Sequence, residues 1–296
     1  LPRNAVCNLG AINLANMMKN GDVDWELLKY VTEVSQRFSD NIIDASFYFL
    51  EENERMAKLE RRVGKGVMGF ADLMIKLKLT YGEEEMIKKT EEIFKFIAEE
   101  SYKSSCKLAH EKGSFPAFEC NKFLNSKFIQ KFNKNIKDLI RRYGIRNVTS
   151  LTVAPTGSTS TMLGVSGGIE PYFAFKYYRN GRLGKAIEIN SKIAQEYLDA
   201  HSEEELPEYF ITAMELSPEE HVLVQSAAQK WVDSSISKTV NAPSSFTVID
   251  TDNLYKLAFN KGLKGLTIYV DGSRDSQVLV LDKENITQST PKEISN

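Results

Sequence analysis

The sequence predicts an α/β fold built on a largely parallel sheet. Short segments of strand character alternate with longer helical segments, and 42% of the 296 residues are hydrophobic, which is enough for a sizeable core. Because parallel strands need long crossover connections, this alternation favours strands joined by helices. The predicted strands are residues 8–14, 150–154, 172–175, 235–240 and 265–270.

Two long helices are expected between the first two of these strands. Asp24 is a suitable N-cap for the first helix, and the second spans about residues 83–112 and ends at Gly113. Cys106 falls inside the second helix, where we expect a buried, small apolar side chain. The first helix carries an apolar stripe that we expect to face the core, made of Leu28, Val31, Val34, Phe38 and Ile42.

Composition argues against several classes of function. The chain has 38 basic and 40 acidic residues, so its net charge of −2 gives no reason to expect binding to nucleic acid or to a membrane surface. No apolar run approaches the roughly 20 residues that span a bilayer, and the first residues do not resemble a signal peptide. The three cysteines and three histidines have no metal-ligand spacing, so no metal site is expected. These features are typical of a cytoplasmic protein.

A glycine pattern invites comparison with dinucleotide-binding proteins. Gly64, Gly66 and Gly69 satisfy G-x-G-x-x-G. Residues 51–62 before them are charged and of helical character, whereas the dinucleotide motif follows a buried strand. We therefore expect these glycines to form a turn that lets the next helix, residues 70–77, pack closely. Nicotinamide binding is the weakest of the functional hypotheses.

The segment from Thr149 to Pro171 has the composition of a phosphate-binding loop. A short apolar run is followed by a proline, by small or hydroxylated residues and by a second, glycine-rich turn. If a helix begins there, its free N–H groups converge at the positive end of the helix dipole. A Ser/Thr helix cap after a strand explains the same pattern without a ligand. The candidate phosphate-binding residues are Pro155, Thr156, Gly157, Ser158, Thr159 and Ser160.

Five segments, in this order, resemble the catalytic subunit of ribonucleotide reductases, most closely the adenosylcobalamin-dependent class. They are CNLGAINLANM from Cys7, RRVGKGVMGFADLM from Arg61, APTGSTSTMLGVSGGIEP from Ala154, QKWVDSSISKTVN from Gln229 and KGLTIYVDGSRD from Lys264. The resemblance covers nearly the whole chain. It implies that residues 1–275 form the second half of the ten-stranded α/β barrel of this family. Residues 276–296 are expected to form a polar, loosely ordered tail.

The resemblance also implies a reaction, the reduction of a ribonucleotide to a 2′-deoxyribonucleotide, with a diphosphate as the expected substrate. In this family a cysteine thiyl radical removes hydrogen from the 3′-carbon, and two further cysteines supply electrons and become a disulfide. Cys7 matches one of these two reductant cysteines. Without the resemblance, Cys7 is interpreted as a buried thiol at the start of a strand. The loop at residues 155–160 is expected to bind the terminal phosphate of the substrate.

Other parts of the family's machinery would lie outside this sequence. The thiyl cysteine belongs to an Asn-Pro-Cys-Gly-Glu type segment upstream of Leu1, and the cysteine that pairs with Cys7 is also upstream. We therefore expect the C-terminal part of a catalytic subunit, from a split gene, an intein-related fragment or a truncated sequence, inactive without its N-terminal portion. Further implied partners are an external dithiol reductant such as thioredoxin and, in the complete enzyme, copies of itself in a homo-oligomer.

One strand indicates the class of reductase. The di-iron class relays its radical through two adjacent tyrosines in the strand that matches residues 266–269, where this chain reads Leu-Thr-Ile-Tyr. The adjacent pair Tyr177 and Tyr178 lies in a different segment and is expected to be a packing or surface feature. This favours adenosylcobalamin as the cofactor, with its cobalt held by the corrin and without a metal ligand from this chain.

Two other functional hypotheses stay open. In the first, the chain is a non-catalytic structural or assembly subunit whose loop completes a pocket on another chain. In the second, it is a stand-alone module that binds nucleotide phosphates. Ligand affinity without any partner would favour the stand-alone module.

Overall fold

A computed structural model describes residues 2–180, 186–201, 205–273 and 279–280. The strands are β1 (Asn8–Asn13), β2 (Met18–Lys19), β3 (Asp22–Val23), β4 (Val63–Met68), β5 (Lys176–Asn180), β6 (Ala186–Asn190), β7 (Thr239–Ala242), β8 (Thr267–Val270) and β9 (Leu279–Val280). The helices are α1 (Trp25–Ala45), α2 (Glu51–Glu60), α3 (Phe70–Lys76), α4 (Glu84–Lys112), α5 (Cys120–Leu124), α6 (Lys127–Gln130), α7 (Lys134–Tyr143), α8 (Gly157–Leu163), α9 (Lys192–His201), α10 (Pro218–Gln229) and α11 (Val248–Asn260), with a short 3₁₀ turn at Leu14–Asn16.

Neighbouring parallel segments follow one another in the order of the sequence. β1 pairs with β4 along its whole length, and β7 pairs with β8. Between them, Lys65 of β4 pairs with Leu151, and Val153 pairs with Ile236, both in parallel. The result is a parallel array of β1, β4, residues 151–153, the segment from Ile236 into β7, and β8. This array confirms the predicted α/β fold, and its helices provide the crossovers.

Most of the predicted strands are present. The strands expected at residues 8–14 and 265–270 correspond to β1 and β8. The strands expected at residues 150–154 and 235–240 occur as isolated bridges, and the regular pairing of the second continues to Ala242.

The prediction of a strand at residues 172–175 is wrong. Within it only Tyr172 forms a bridge, to Thr212, and the antiparallel strand β5 begins afterwards at Lys176. The aromatic residues that indicate a strand there serve side-chain packing instead. Phe175 packs on Phe210, with ring centroids 5.2 Å apart.

β4 is the strand that the sequence analysis missed. All six of its residues are buried, and Gly64 and Gly66 lie within it rather than in a turn. Gly69, at φ +66°, forms the turn into α3, so the predicted helix is confirmed and the turn is limited to this third glycine. α2 confirms the helical character of the preceding residues. In the dinucleotide motif the glycines follow a strand, whereas here two of them lie within one.

The apolar stripe predicted on α1 is only partly buried. Leu28 is fully buried, but Val34 and Phe38 are 48% and 64% exposed, so the prediction that they face the core is wrong. The inward face of α1 carries polar side chains instead, among them Thr32, Gln36, Ser39 and Asp40. Prediction from hydrophobic periodicity assumes that the apolar face of a helix is the buried one, and a polar inward face breaks this assumption.

A buried hydrogen-bonded network accounts for this polar face. The Asp40 carboxylate is fully buried and accepts hydrogen bonds from Arg61 Nε at 2.8 Å, Arg146 Nε at 3.2 Å and Asn147 Nδ2 at 3.0 Å. Gln36 Nε2 donates to Asn147 Oδ1 at 2.8 Å. Each member joins α1 to the segments that lead into β4 and toward residue 151. The network therefore fixes the start of two neighbouring strands.

The second long helix agrees with prediction. α4 ends before Gly113, and Cys106 within it is 1% exposed. The Lys-rich stretch after it forms α5, α6 and α7. Tyr177 and Tyr178 lie in β5, but their side chains are outside the described part of the chain, as is most of the predicted tail at residues 276–296 apart from β9. Among the described residues, no helix combines the length and apolar composition needed to cross a membrane.

Replacing Asp40 with alanine should lower the free energy of unfolding by about 3 kcal/mol, because Arg61 Nε loses its buried acceptor while Asp44 still binds the other two guanidinium nitrogens. Urea denaturation followed by circular dichroism measures the change. Arg37→Ala is the control, since the pair Arg37–Glu111 is exposed at 46% on each side and its loss should cost less than about 1 kcal/mol. Equal losses in the two variants would contradict a special role for the buried network.

Candidate functional site

One face of the parallel array is open and lined with small or polar side chains. Successive residues of a strand point to opposite faces, and paired residues of neighbouring strands point to the same one. The face that carries Lys65, Leu151, Val153 and Ile236 is buried against the helices. The opposite face, here called the open face, includes Cys7, Leu9, Ala11, Gly64, Gly66, Thr152, Ser235, Ser237, Thr239, Asn241, Thr267 and Tyr269.

Cys7 lies at the amino-terminal end of the open face. A Cβ atom placed on Gly64 would lie 2.9 Å from Cys7 Sγ and 2.6 Å from Thr152 Cγ2. The missing side chain at Gly64 therefore brings the thiol and Thr152 to either side of one point. Among the three cysteines, Cys7 is the one whose thiol lies at the open face. Cys106 is buried in α4, and Cys120 begins α5.

The surroundings of Cys7 favour its protonated form. Burial raises the pKa of the thiol to about 11, the Arg62 guanidinium lowers it and the Asp233 carboxylate raises it. Arg62 is itself paired with Glu60 at 3.1 Å, which weakens its positive field. At pH 7 the thiolate fraction is then on the order of one in ten thousand. The side chain is suited to giving up a hydrogen atom or an electron together with a proton.

The candidate phosphate loop begins where the third segment of the array ends. Pro155 is exposed after Val153, and Thr156 is the N-cap of α8 with φ +53°, a left-handed conformation that is costly for a β-branched residue. Gly168 N–H donates to Thr156 Oγ1 at 2.9 Å and helps to hold this conformation. The strained residue turns the chain sharply from the strand into α8.

The residues after Thr156 present backbone donors. The N–H groups of Gly157, Ser158 and Thr159 occupy the first turn of α8, where no acceptor exists within the helix. The hydroxyls of Thr159 and Ser160 bond to carbonyl oxygens of their own loop, Thr156 O at 3.1 Å and Gly157 O at 3.3 Å. Ser160 is buried and Ser158 is exposed. Any anion at this position would therefore meet amide groups and the Ser158 hydroxyl.

The glycine-rich turn at residues 167–170 packs directly on this loop. A Cβ atom on Gly167 would lie 2.8 Å from the Pro155 carbonyl oxygen, so only glycine permits the contact. Glu170 ends the turn and accepts hydrogen bonds from Lys238 Nζ at 2.8 Å and from Thr239 N–H at 2.6 Å. Sequence analysis did not single out Glu170 or Lys238, because an acidic residue and a lysine so far apart give no local signal.

Cys7 and the loop lie at opposite ends of one surface. Thr152 is beside Cys7, and Pro155 follows three residues later, which corresponds to roughly 10 Å along an extended strand. That spacing matches a small sugar with a phosphate at one end. In the described part of the chain, no group of three or more His, Cys, Asp or Glu side chains is arranged to hold a metal ion.

A cavity of about 610 Å³ lies along β7 and β8. Its walls include Glu170, Phe173, Thr239 and Asn241. Neutral hydrogen-bonding groups and two aromatic rings, Phe173 and Tyr269, make up much of this lining, a combination suited to a neutral group with its own donors and acceptors.

Alkylation of Cys7 by iodoacetamide should accelerate about tenfold for each pH unit between pH 7 and 10, because only the thiolate reacts and its fraction rises toward the pKa of about 11. Peptide mass spectrometry measures the rate at each cysteine. Cys106, whose pKa burial raises to about 12, is the comparison and should react more slowly at every pH. A plateau in the Cys7 rate below pH 9 would mean that Arg62 outweighs burial.

Comparison with known proteins gives a consistent result. Residues 2–269 match the family model described as ribonucleotide reductase, barrel domain. A vitamin B12-dependent ribonucleoside-diphosphate reductase of Thermoplasma acidophilum is 34% identical, over 97% of this chain and 38% of its own length. A protein of the same name from Mycobacterium tuberculosis is 35% identical, over 92% of this chain and 40% of its own length.

More distant relatives carry a different name. A ribonucleoside-diphosphate reductase subunit alpha of Chlamydia pneumoniae is 28% identical, over 88% of this chain and 29% of its own length. The chain thus spans about two fifths, or less, of the relatives it matches. The family model covers most of the chain, including Cys7, the loop after Pro155 and the strands of the open face, and the chain therefore belongs to the ribonucleotide reductase family.

Proposed function

We propose that this chain is part of the catalytic subunit of a ribonucleotide reductase that converts ribonucleoside diphosphates to 2′-deoxyribonucleotides. The observation that carries the proposal is the position of Cys7 and the 155–160 loop at opposite ends of one open face, in a chain of this family. Two of its relatives are named ribonucleoside-diphosphate reductases, which supports this substrate class. Because the chain spans only part of their length, the activity would belong to the complete subunit.

The open face offers a site for each part of the substrate. The terminal phosphate would accept hydrogen bonds from the N–H groups of residues 157–159. The donors are neutral, so affinity would come from aligned dipoles rather than from net charge. The ribose would lie over the segment of β4 where Gly64 and Gly66 contribute no side chain of their own, and its 2′-carbon would face Cys7.

Cys7 would supply one of the two thiols that the reduction consumes. The 2′-hydroxyl leaves as water, the 2′-carbon gains hydrogen, and two thiols become one disulfide, so the electrons balance. The raised pKa of Cys7 is consistent with this role, because a protonated thiol carries both the electron and the proton. The second reductant thiol and the thiyl cysteine would come from the N-terminal portion of the enzyme. An external dithiol, of the thioredoxin kind, would restore the thiols after each turnover.

The architecture supports the proposal that this chain is one half of a ten-stranded barrel. The parallel segments lie side by side in sequence order, as they do when strands wind around a barrel wall. Among the described residues, β1 is paired on one side only, with β4, and β8 only with β7. Strand edges that are open in this way are suited to pairing with an N-terminal half. The complete enzyme would then form its homo-oligomer.

Adenosylcobalamin is the proposed cofactor, as the names of two relatives suggest. The 610 Å³ cavity beside β7 and β8 fits the nucleoside part of such a group, with Thr239 and Asn241 as hydrogen-bonding residues and Phe173 as an aromatic wall. When bound, the cofactor supplies a radical by cleavage of its cobalt–carbon bond. The residues of this chain would orient the nucleoside and keep water away from it.

Ribonucleotide reduction with adenosylcobalamin and dithiothreitol tests the proposal. The assay compares this chain alone, the chain with the N-terminal portion of its subunit, and the same combination carrying Cys7→Ser. We expect turnover only in the combination, and loss of multiple turnover with Cys7→Ser, because the disulfide cannot form. Cys120→Ser is the matched control and should retain activity, since Cys120 lies in α5, away from the open face.

Each outcome discriminates between functions. A stable complex without activity would favour a structural or assembly subunit. Nucleotide binding by this chain alone, without turnover in the combination, would favour a binding module.

A further inference from the structure

A buried lysine lies beneath the turn that supports the phosphate loop. Lys238 is 1% exposed and directs its ammonium group at three acceptors: Glu170 Oε2 at 2.8 Å, His221 Nδ1 at 2.9 Å and Thr239 O at 3.3 Å. An ammonium group has three N–H donors, so all of them are used. Such a cation is costly to bury unless it is fully paired, and this arrangement satisfies it.

His221 completes this arrangement as a neutral acceptor. It is fully buried, and Nε2 lies 3.1 Å from the Ala213 carbonyl oxygen, which requires the proton on Nε2 and leaves Nδ1 free to accept from Lys238. Burial and the adjacent Lys238 charge lower the pKa of His221 to about 3. The histidine therefore keeps this tautomer over the ordinary working range of pH and fixes the position of the ammonium group.

The turn is held at two consecutive residues. Glu170 uses both carboxylate oxygens, one for Lys238 and one for the Thr239 N–H group. The Tyr81 hydroxyl donates to the carbonyl oxygen of Ile169, and its ring lies 5.5 Å from Lys238 Nζ. Tyr81, Lys238, His221 and Glu170, here called the turn anchor, join the turn to α10, β7 and the segment before α4.

The turn at residues 167–170 also sets the conformation of the phosphate loop. Gly168, two residues before Glu170, donates its N–H group to Thr156 Oγ1. Within the turn, the Glu170 N–H group donates to the Gly167 carbonyl oxygen at 2.9 Å. Thr156 occupies a left-handed conformation at φ +53° that needs support. A shift of the turn would move the Gly168 donor, release Thr156 and redirect the N–H groups of residues 157–159.

We propose that the Lys238–Glu170 pair positions the phosphate loop and thereby sets the affinity for the substrate's phosphate group, an inference that rests on the proposed function. Neither side chain is proposed to contact the phosphate group, so both are positioning residues for it, while Glu170 also forms part of the wall of the 610 Å³ cavity. The pair acts through the turn at residues 167–170, by holding the Gly168 donor against Thr156.

A direct electrostatic effect of Lys238 on the phosphate would change the affinity in the opposite direction when Glu170 is neutralised. If Lys238 attracted phosphate through its charge, neutralising Glu170 would leave that charge uncompensated and tighten binding. If the pair positions the loop, loss of either partner loosens the turn and weakens binding. The variant Glu170→Gln separates the two, because it removes the charge and one hydrogen bond with little change of size.

Steady-state kinetics of the complete enzyme test the inference, with a ribonucleoside diphosphate as substrate. Glu170→Gln and Lys238→Met should each raise KM roughly tenfold and change kcat by less than about threefold. The KM of the double variant should be no higher than that of the more impaired single variant, because both changes break the same contact. Glu170 is 29% exposed at its side chain, so Glu170→Gln is the variant that keeps the fold safest.

Two controls make the result specific. Lys65→Met removes another buried lysine, in β4, which bonds to Ser101 Oγ at 2.9 Å and has no hydrogen bond to the loop, and it should leave KM unchanged. Ser158→Tyr should raise KM by blocking the amide groups, whereas Ser158→Ala should raise it less, because only the hydroxyl is lost and the amide groups stay accessible.

The outcomes separate failure of the inference from failure of the proposed site. If Ser158→Tyr leaves KM unchanged, the loop is not the substrate site and the proposed function of the loop fails. If Ser158→Tyr raises KM but Glu170→Gln leaves it unchanged or lowers it, the positioning role of the pair is overturned while the site stands.

Discussion

The open face depends on the absence of side chains at two positions of β4. A Cβ atom at Gly66 would lie 2.5 Å from the Thr152 carbonyl oxygen, and one at Gly64 would meet Thr152 and Cys7 at under 3.0 Å. Any larger residue would push the neighbouring strand away or displace the thiol. These glycines therefore set both the spacing of the array and the close packing of Cys7 against Thr152.

The buried side of the same array carries the interactions that fix the strands. The Asp233 carboxylate accepts hydrogen bonds from the N–H groups of Ser150 and Leu151, at 2.7 and 3.0 Å, and from the Tyr102 hydroxyl at 2.9 Å. Burial raises the pKa of Asp233, and these donors oppose the shift. Together with the network around Asp40, this contact holds the start of the central segment, so the loop at its other end begins from a fixed point.

Sequence reasoning found the elements whose signals are local and missed those that depend on distant partners. The helix up to Lys112 follows from caps and periodicity and is confirmed, whereas the roles of Cys7 and of the loop after Pro155 come from motifs and stay predictions. β4 was missed because Gly-Lys-Gly lacks strand propensity, and its burial comes only from close packing against β1 and residues 151–153. Val34 and Phe38 were assigned to the core because periodicity does not reveal which face of α1 binds the buried polar network.

The most direct test of the account is a crystal structure of the complete enzyme with a bound ribonucleoside diphosphate. We expect the terminal phosphate within hydrogen-bond distance of the N–H groups of residues 157–159, with the ribose over Gly64 and Gly66 and its 2′-carbon facing Cys7. Phosphate bound away from α8, or a ribose on the far side of the array from Cys7, would contradict the claim that the open face is the substrate surface.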